Sequence, residues 1–160
     1  MSLQRFCQRP IVTITPQQNI AEACRLLQEH NVGCLLAAEE GKLKGIVTDR
    51  DIALKVTGEN RNPQQTKVAD VMTRNPTSIP VNRTLHDLST VMHTYHVRRV
   101  PIVDSNDKVL GVVTLDDLLI LLGEELADLG QGIAGALFRQ PSPSGLEADP
   151  LPIQWIMSYL

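Results

Sequence analysis

Residues 6 to 39 can be laid over residues 71 to 104, and residues 41 to 57 over residues 107 to 123, with one inserted residue between the two blocks. Arg9 then meets Arg74, Ile14 meets Ile79, Val32 meets Val97 and Lys42 meets Lys108. Gly45, Val47, Thr48 and Asp51 meet Gly111, Val113, Thr114 and Asp117. Apolar positions agree as well: Ile20 with Leu85, Ala23 with Leu88, Leu26 with Val91 and Leu27 with Met92. One insertion over about fifty positions argues for two copies of a single structural unit. At roughly 60 residues neither copy buries enough surface to be stable by itself, so two pseudo-symmetric copies must share a core.

Each unit reads as strand, helix, strand, strand, helix. "IVTITP" is short and β-branched, and Ile20, Ala23, Leu26 and Leu27 recur at helical spacing over residues 19 to 30. Asn19 and Thr84 stand where N-caps are expected. "GCLLAA" and "RVPIVD" are buried strands, and "LKGIVT" and "VLGVVT" follow them across the turn-rich "EEGK" and "SNDK", so each pair forms a hairpin. A helix begins at each Thr, and Thr66 is expected to cap the short turn "KVADVM". The fold class is α/β of the α+β type, with two β-α-β-β-α repeats packed sheet to sheet. This divides the chain into a first repeat with its connecting loop (1–65), a second repeat (66–122), and a C-terminal stretch (123–160).

With only 3% aromatic residues, the core must be built from Val, Ile, Leu, Met and Ala. A net charge of −3 and the lack of a basic stripe alternating with aromatics argue against a nucleic-acid partner. No apolar run approaches the roughly 18 residues that span a bilayer, and "MSLQRFCQRP" lacks an apolar core region of signal-peptide type. Cys7, Cys24 and Cys34 are odd in number and form no C-x-x-C pair. The expectation is a cytoplasmic protein with reduced, mostly buried thiols.

The repeated "TDRD" and "TLDD" fit the capping box, in which Thr48 and Thr114 cap a helix and Asp51 and Asp117 reach back to the cap N–H. Three features add a ligand to that structural role. Gly45 and Gly111 precede the threonines by three residues, where a missing side chain admits another group. The motif sits at a strand-to-helix junction, where free N–H groups favour an anion. A carboxylate one turn into the helix suits a vicinal diol. Gly for approach, Thr and N–H groups for phosphate, and Asp for ribose hydroxyls together describe a nucleotide site.

"VMTRNPTSIP", "HVRRVPIVD", "KVLGVVTLDDL" and "GKLKGIVTDRDI" resemble, in order and in both copies, a tandem pair of cystathionine-β-synthase (CBS) domains, a Bateman module, over about residues 5 to 122. The resemblance implies two clefts that take adenosine derivatives, a flat homodimer, and a regulatory role exerted through a partner protein. Carried over residue by residue, cleft one holds Gly45, Thr48, Arg50, Asp51, Ile79, Pro80, Arg98 and Arg99. Cleft two holds Ile14, Val32, Gly33, Cys34, Gly111, Thr114, Asp116 and Asp117. Cleft one would then carry three arginines against the extra carboxylate Asp116 in cleft two, and would hold the phosphate-bearing ligand more tightly. The regulatory ligand expected is an adenine nucleotide (AMP, ADP or ATP). The alternatives are S-adenosylmethionine or another adenosyl compound, or empty clefts in a structural dimerisation module.

No catalytic constellation is found, so the chain is not expected to be an enzyme. "GQGIAG", residues 130 to 135, matches G-x-G-x-x-G but follows an amphipathic helix rather than a strand, and is expected to serve helix packing. His93 and His96 lack a third ligand, so no metal site is expected. "RQPSPSGLEADPLP" reads as a linker and "IQWIMSYL" as an apolar terminus able to dock.

Overall fold

The computed structural model describes residues 3–8 and 11–137. The linker and apolar terminus proposed above lie outside the described residues. The chain divides into two units, Met1–Leu119 and Ile120–Leu160.

The first unit contains the first repeat and the second as far as the start of its last helix. The first repeat runs from β1 (Thr13–Ile14) through α1 (Ile20–Glu29) to β2 (Cys34–Glu39), β3 (Lys42–Thr48) and the single turn α2 (Asp49–Ile52). A π-helical turn, Ala53–Thr57, continues α2. In the second repeat, β4 (Thr73–Arg74) and β5 (Ile79–Pro80) precede α3 (Leu85–Tyr95), β6 (Arg99–Val103), β7 (Val109–Thr114) and α4 (Leu115–Leu137). Asn19 and Thr84 cap α1 and α3 as expected, each accepting from a backbone N–H three residues on.

The hairpins follow the alternation of side chains. Cys34 pairs with Thr48 and Glu39 with Lys42 in the first repeat, and Arg99 with Thr114 and Val103 with Val109 in the second. Gly41 takes the left-handed φ of +78° that closes the first tight turn. Leu35, Ala37 and Val47 enter the core beneath α1, whereas Cys34, Leu36 and Ala38 join Ile46 and Val109 in a second cluster, packed by Val112. Both faces of β2 are thus buried, which is why it reads as an unbroken apolar run. Leu43 donates its N–H to the Asp107 carbonyl at 3.1 Å, and Val109 to the Gly41 carbonyl at 2.9 Å, joining the two hairpin tips.

Two expectations are corrected here. Thr66 does not cap the following turn; its hydroxyl donates to the Asn62 carbonyl at 2.9 Å, and Asp70 instead accepts the Lys67 N–H. Of the three thiols, Cys34 is buried, Cys7 half-buried and Cys24 exposed.

The segment leading into each repeat packs into the core of the other repeat. Val68, Val71 and Met72 complete the first core beside Ile20, Leu35 and Val56, and β4 adds a fourth strand to that sheet by pairing Gly45 with Arg74. Leu3, in the 3-10 segment Leu3–Gln8, completes the second core with Leu88, Val100 and Val113, and Phe6 and Cys7 pack against it. The sheet of the second repeat has three strands, β5-β6-β7.

In the second unit, α4 carries Leu122, Leu126, Leu129 and Ile133, all exposed. "GQGIAG" lies inside this helix, and no described atom is within 4 Å of where a Cβ would stand on Gly130, Gly132 or Gly135. The close packing expected there is therefore absent among the described residues. No helix among them is long and apolar enough to cross a membrane.

Candidate functional site

Register brings the two ends of each hairpin together. Cys34 stands opposite Thr48, and the Asp49 N–H points to the Gly33 carbonyl at 3.4 Å. In the second repeat Arg99 stands opposite Thr114, and the Leu115 N–H donates to the Arg98 carbonyl at 2.9 Å. The start of the first hairpin strand thus lies beside the strand-to-helix junction of the same repeat.

Both junctions are capping boxes. Thr48 accepts the Asp51 N–H at 3.1 Å, while Asp51 Oδ2 accepts the Thr48 N–H at 3.0 Å and its hydroxyl at 2.7 Å. Thr114 and Asp117 repeat this at 3.1, 2.9 and 2.6 Å. Asp51 Oδ1 pairs with Lys55 Nζ at 2.7 Å, and Lys55 also donates to the Val71 carbonyl at 2.7 Å. Burial works to raise the Asp51 pKa, but hydrogen bonds from Lys55 and Thr48 outweigh it and hold the carboxyl below its usual range. Lys55 was legible as an i, i+4 partner of Asp51; its counterpart in the second repeat is Leu121.

The glycines have a different purpose from the one expected. A Cβ on Gly45 would stand 2.9 Å from the Thr73 carbonyl oxygen and nearer still to Met72 Sδ. On Gly111 it would stand 3.1 Å from the Phe6 carbonyl oxygen and 3.5 Å from Cys7 Sγ. The crossing segments, rather than open space for a ligand, occupy these positions. Gly45→Ala should therefore cost about 1–3 kcal/mol as an overpacked buried site, read from denaturant midpoints. Unchanged stability would mean that the space is free after all.

Ile14 and Ile79 are buried in the first and second cores, Val32 packs against the first, and Pro80 is exposed. Arg50 and Asp116 are exposed on their helices. Arg98 turns to the helical side, where it lines a groove of about 430 Å³ with Met92, His93, His96, Leu115 and Leu118. Arg99, the first residue of β6, lies against the first repeat. Its Nη2 is 2.9 Å from where a Gly33 Cβ would be, and Asp49 Oδ2 is 3.6 Å from the same point. The two side chains, both expected in cleft one, thus face different neighbours.

Gly33 and Cys34 therefore share their surroundings with Arg99. Burial pushes the Cys34 thiol pKa up; Arg99 opposes that rise, and Asp49 and Asp117 add to it. Asp49 was missed in the sequence because the alignment sets it against Leu115, which carries no charge. His93 and His96 lie with ring centroids 6.4 Å apart. Among the described residues no group of three or more His, Cys, Asp or Glu side chains is placed to hold a metal.

The CBS domain family model matches residues 3–58 and 68–124. The CBS domain-containing protein YhcV of Bacillus subtilis (strain 168) is 44% identical over 110 residues, which cover 69% of this chain and 77% of that protein. Inosine-5'-monophosphate dehydrogenase of Korarchaeum cryptofilum (strain OPF8) is 30% identical over 115 residues, covering 72% of this chain but 23% of the enzyme. Among solved structures, the CBS domain pair of protein MJ0100 in complex with 5'-methylthioadenosine and S-adenosyl-L-methionine matches with a TM-score of 0.70 and 30% identity. It covers 78% of this chain and 98% of that one. With two matched repeats, a shared fold and a relative this similar, the chain belongs to the CBS domain family, as a tandem pair.

Proposed function

We propose that the chain is a regulatory CBS pair that binds an adenosyl ligand and passes the bound state to a partner protein. The observation carrying this reading is the doubled Thr-x-x-Asp junction, set in a fold that matches a CBS pair complexed with two adenosyl compounds. Asp51 and Asp117 are the ribose acceptors, while Thr48, Thr114 and nearby N–H groups face the 5' substituent. In the dehydrogenase relative the matched stretch is under a quarter of an enzyme, so the protein regulated here is a separate chain or a further segment.

The test is a thermal-shift series with AMP, ADP, ATP, S-adenosylmethionine and 5'-methylthioadenosine. A ligand at 100 times its dissociation constant adds about 2.7 kcal/mol, several degrees for a domain of this size. No shift from any of the five at millimolar concentration overturns the sensor reading. A second reading, a structural dimerisation module, draws on the internal occupation of Asp51 by Thr48 and Lys55 and on the filled spaces over Gly45 and Gly111.

Both readings include a homodimer. Leu119, Leu122, Leu126, Leu129 and Ile133 alternate at three and four residues along α4, and all are exposed, a stripe that pairs with a second helix. Leu126→Glu with Leu129→Glu should give monomer at tens of micromolar in sedimentation. A wild-type monomer at that concentration removes the homodimer from either reading.

A further inference from the structure

Arg99 is positioned between the two repeats rather than within one cleft. Its strand neighbour Thr114 belongs to the second Thr-x-x-Asp junction. Its guanidinium lies over Gly33, next to Asp49 at the first junction. Gly33 and Arg98 are equivalent positions in the two repeats, as are Cys34 and Arg99. The residues between the junctions thus lie on the internal two-fold relation, where the first copy supplies Gly and Cys and the second supplies Arg. Gly33 leaves the space that the guanidinium fills, since a Cβ there would meet Nη2 at 2.9 Å. Arg99 and a carboxylate of each junction, Asp49 and Asp117, all bear electrostatically on the buried Cys34 thiol.

Resting on the adenosyl-ligand reading, we propose that Arg99 is a phosphate-binding cation shared by both clefts, so that a phosphate-bearing adenosyl ligand in one cleft weakens binding of a second in the other. A guanidinium engages one phosphate through its planar fork. Drawn to either junction, the guanidinium is lost to the other, where a carboxylate of the same junction stands close to the incoming phosphate. An adenosyl ligand without phosphate makes no demand on Arg99, and its two sites are not coupled in this way. The chain is then a counter of phosphate-bearing ligands, with one strong site per module, although the Thr-x-x-Asp motif occurs twice.

The test is calorimetry on the full chain with two probes, AMP and 5'-methylthioadenosine. The wild type should show a second AMP constant at least about tenfold weaker than the first, the scale of one charge-assisted hydrogen bond. Arg99→Gln should weaken the first AMP site and bring the two AMP constants together. Both 5'-methylthioadenosine constants should stay unchanged in that variant, which also shows that it folds. Two equal AMP sites in the wild type overturn the sharing, as does an AMP ratio unaltered by Arg99→Gln. If 5'-methylthioadenosine binds while AMP behaves in either of those ways, the adenosyl reading stands and only the sharing falls. Failure of both probes to bind removes the two together.

Discussion

Leu3→Ala should cost about 2–5 kcal/mol, as much as truncating a leucine at the centre of a sheet. Leu3 is fully buried, yet it lies in a short 3-10 segment outside both sheets. Its neighbours are Leu88, Val100 and Val113, all in the other repeat. The cavity would open between elements held by their own hydrogen bonds, so the surroundings can collapse only partly. Leu88→Ala is the reference, since its leucine is equally buried in the same cluster. Urea unfolding of both variants gives the comparison. A Leu3→Ala loss below about 1 kcal/mol would place the segment outside the core, because ordinary surface changes stay within about 0.5 kcal/mol.

Asp51→Ala combined with Asp117→Ala should erase the ligand-induced thermal shift, about 2.7 kcal/mol for a ligand at 100 times its dissociation constant. Each carboxylate supplies the only acidic acceptor one turn beyond its Thr on the face of the capping box. Each single variant leaves one junction intact and should keep a partial shift. Losing a capping box costs each helix about 1 kcal/mol, but that loss is common to the loaded and unloaded variant and cancels from the shift. A double variant with a full wild-type shift would place the ribose elsewhere. Asp51→Ala should also release Lys55, which holds both Asp51 Oδ1 and the Val71 carbonyl.

The repeat was legible because identical physical demands recur at identical positions: caps at Asn19 and Thr84, paired apolar faces, and Thr with Asp at each junction. The hairpins followed from two-sided burial, which leaves continuous Val, Ile, Leu and Ala runs. The crossing of the leading segments was not legible. "LQRFCQ" and "VADVM" show only short apolar spacing, and nothing in that spacing names which core receives them. The same blindness misread Gly45 and Gly111: a glycine advertises close approach, but not whether a ligand or the chain itself approaches. Adjacent Arg98 and Arg99 looked like one patch because sequence adjacency hides that β6 begins at Arg99, with Arg98 left outside it. Lys55 was legible in principle, four residues beyond Asp51, and was lost among the surface lysines.

The crossed segments also set an order in time. A chain made from its N-terminus has everything the first core needs once Met72 has emerged, since Val68, Val71 and Met72 close that cluster. Leu3, Phe6 and Cys7 were made earlier but must wait for Val113 and Leu118. At an elongation rate of about 5–20 residues per second the interval lasts a few seconds. Throughout it Leu3, Phe6 and Cys7 lack the core that receives them, while the first core already has all of its residues. Leu3, Phe6 and Cys7 are thus made before the first core yet buried after it, and until then they are open to chaperones and proteases on the N-terminal side of that core.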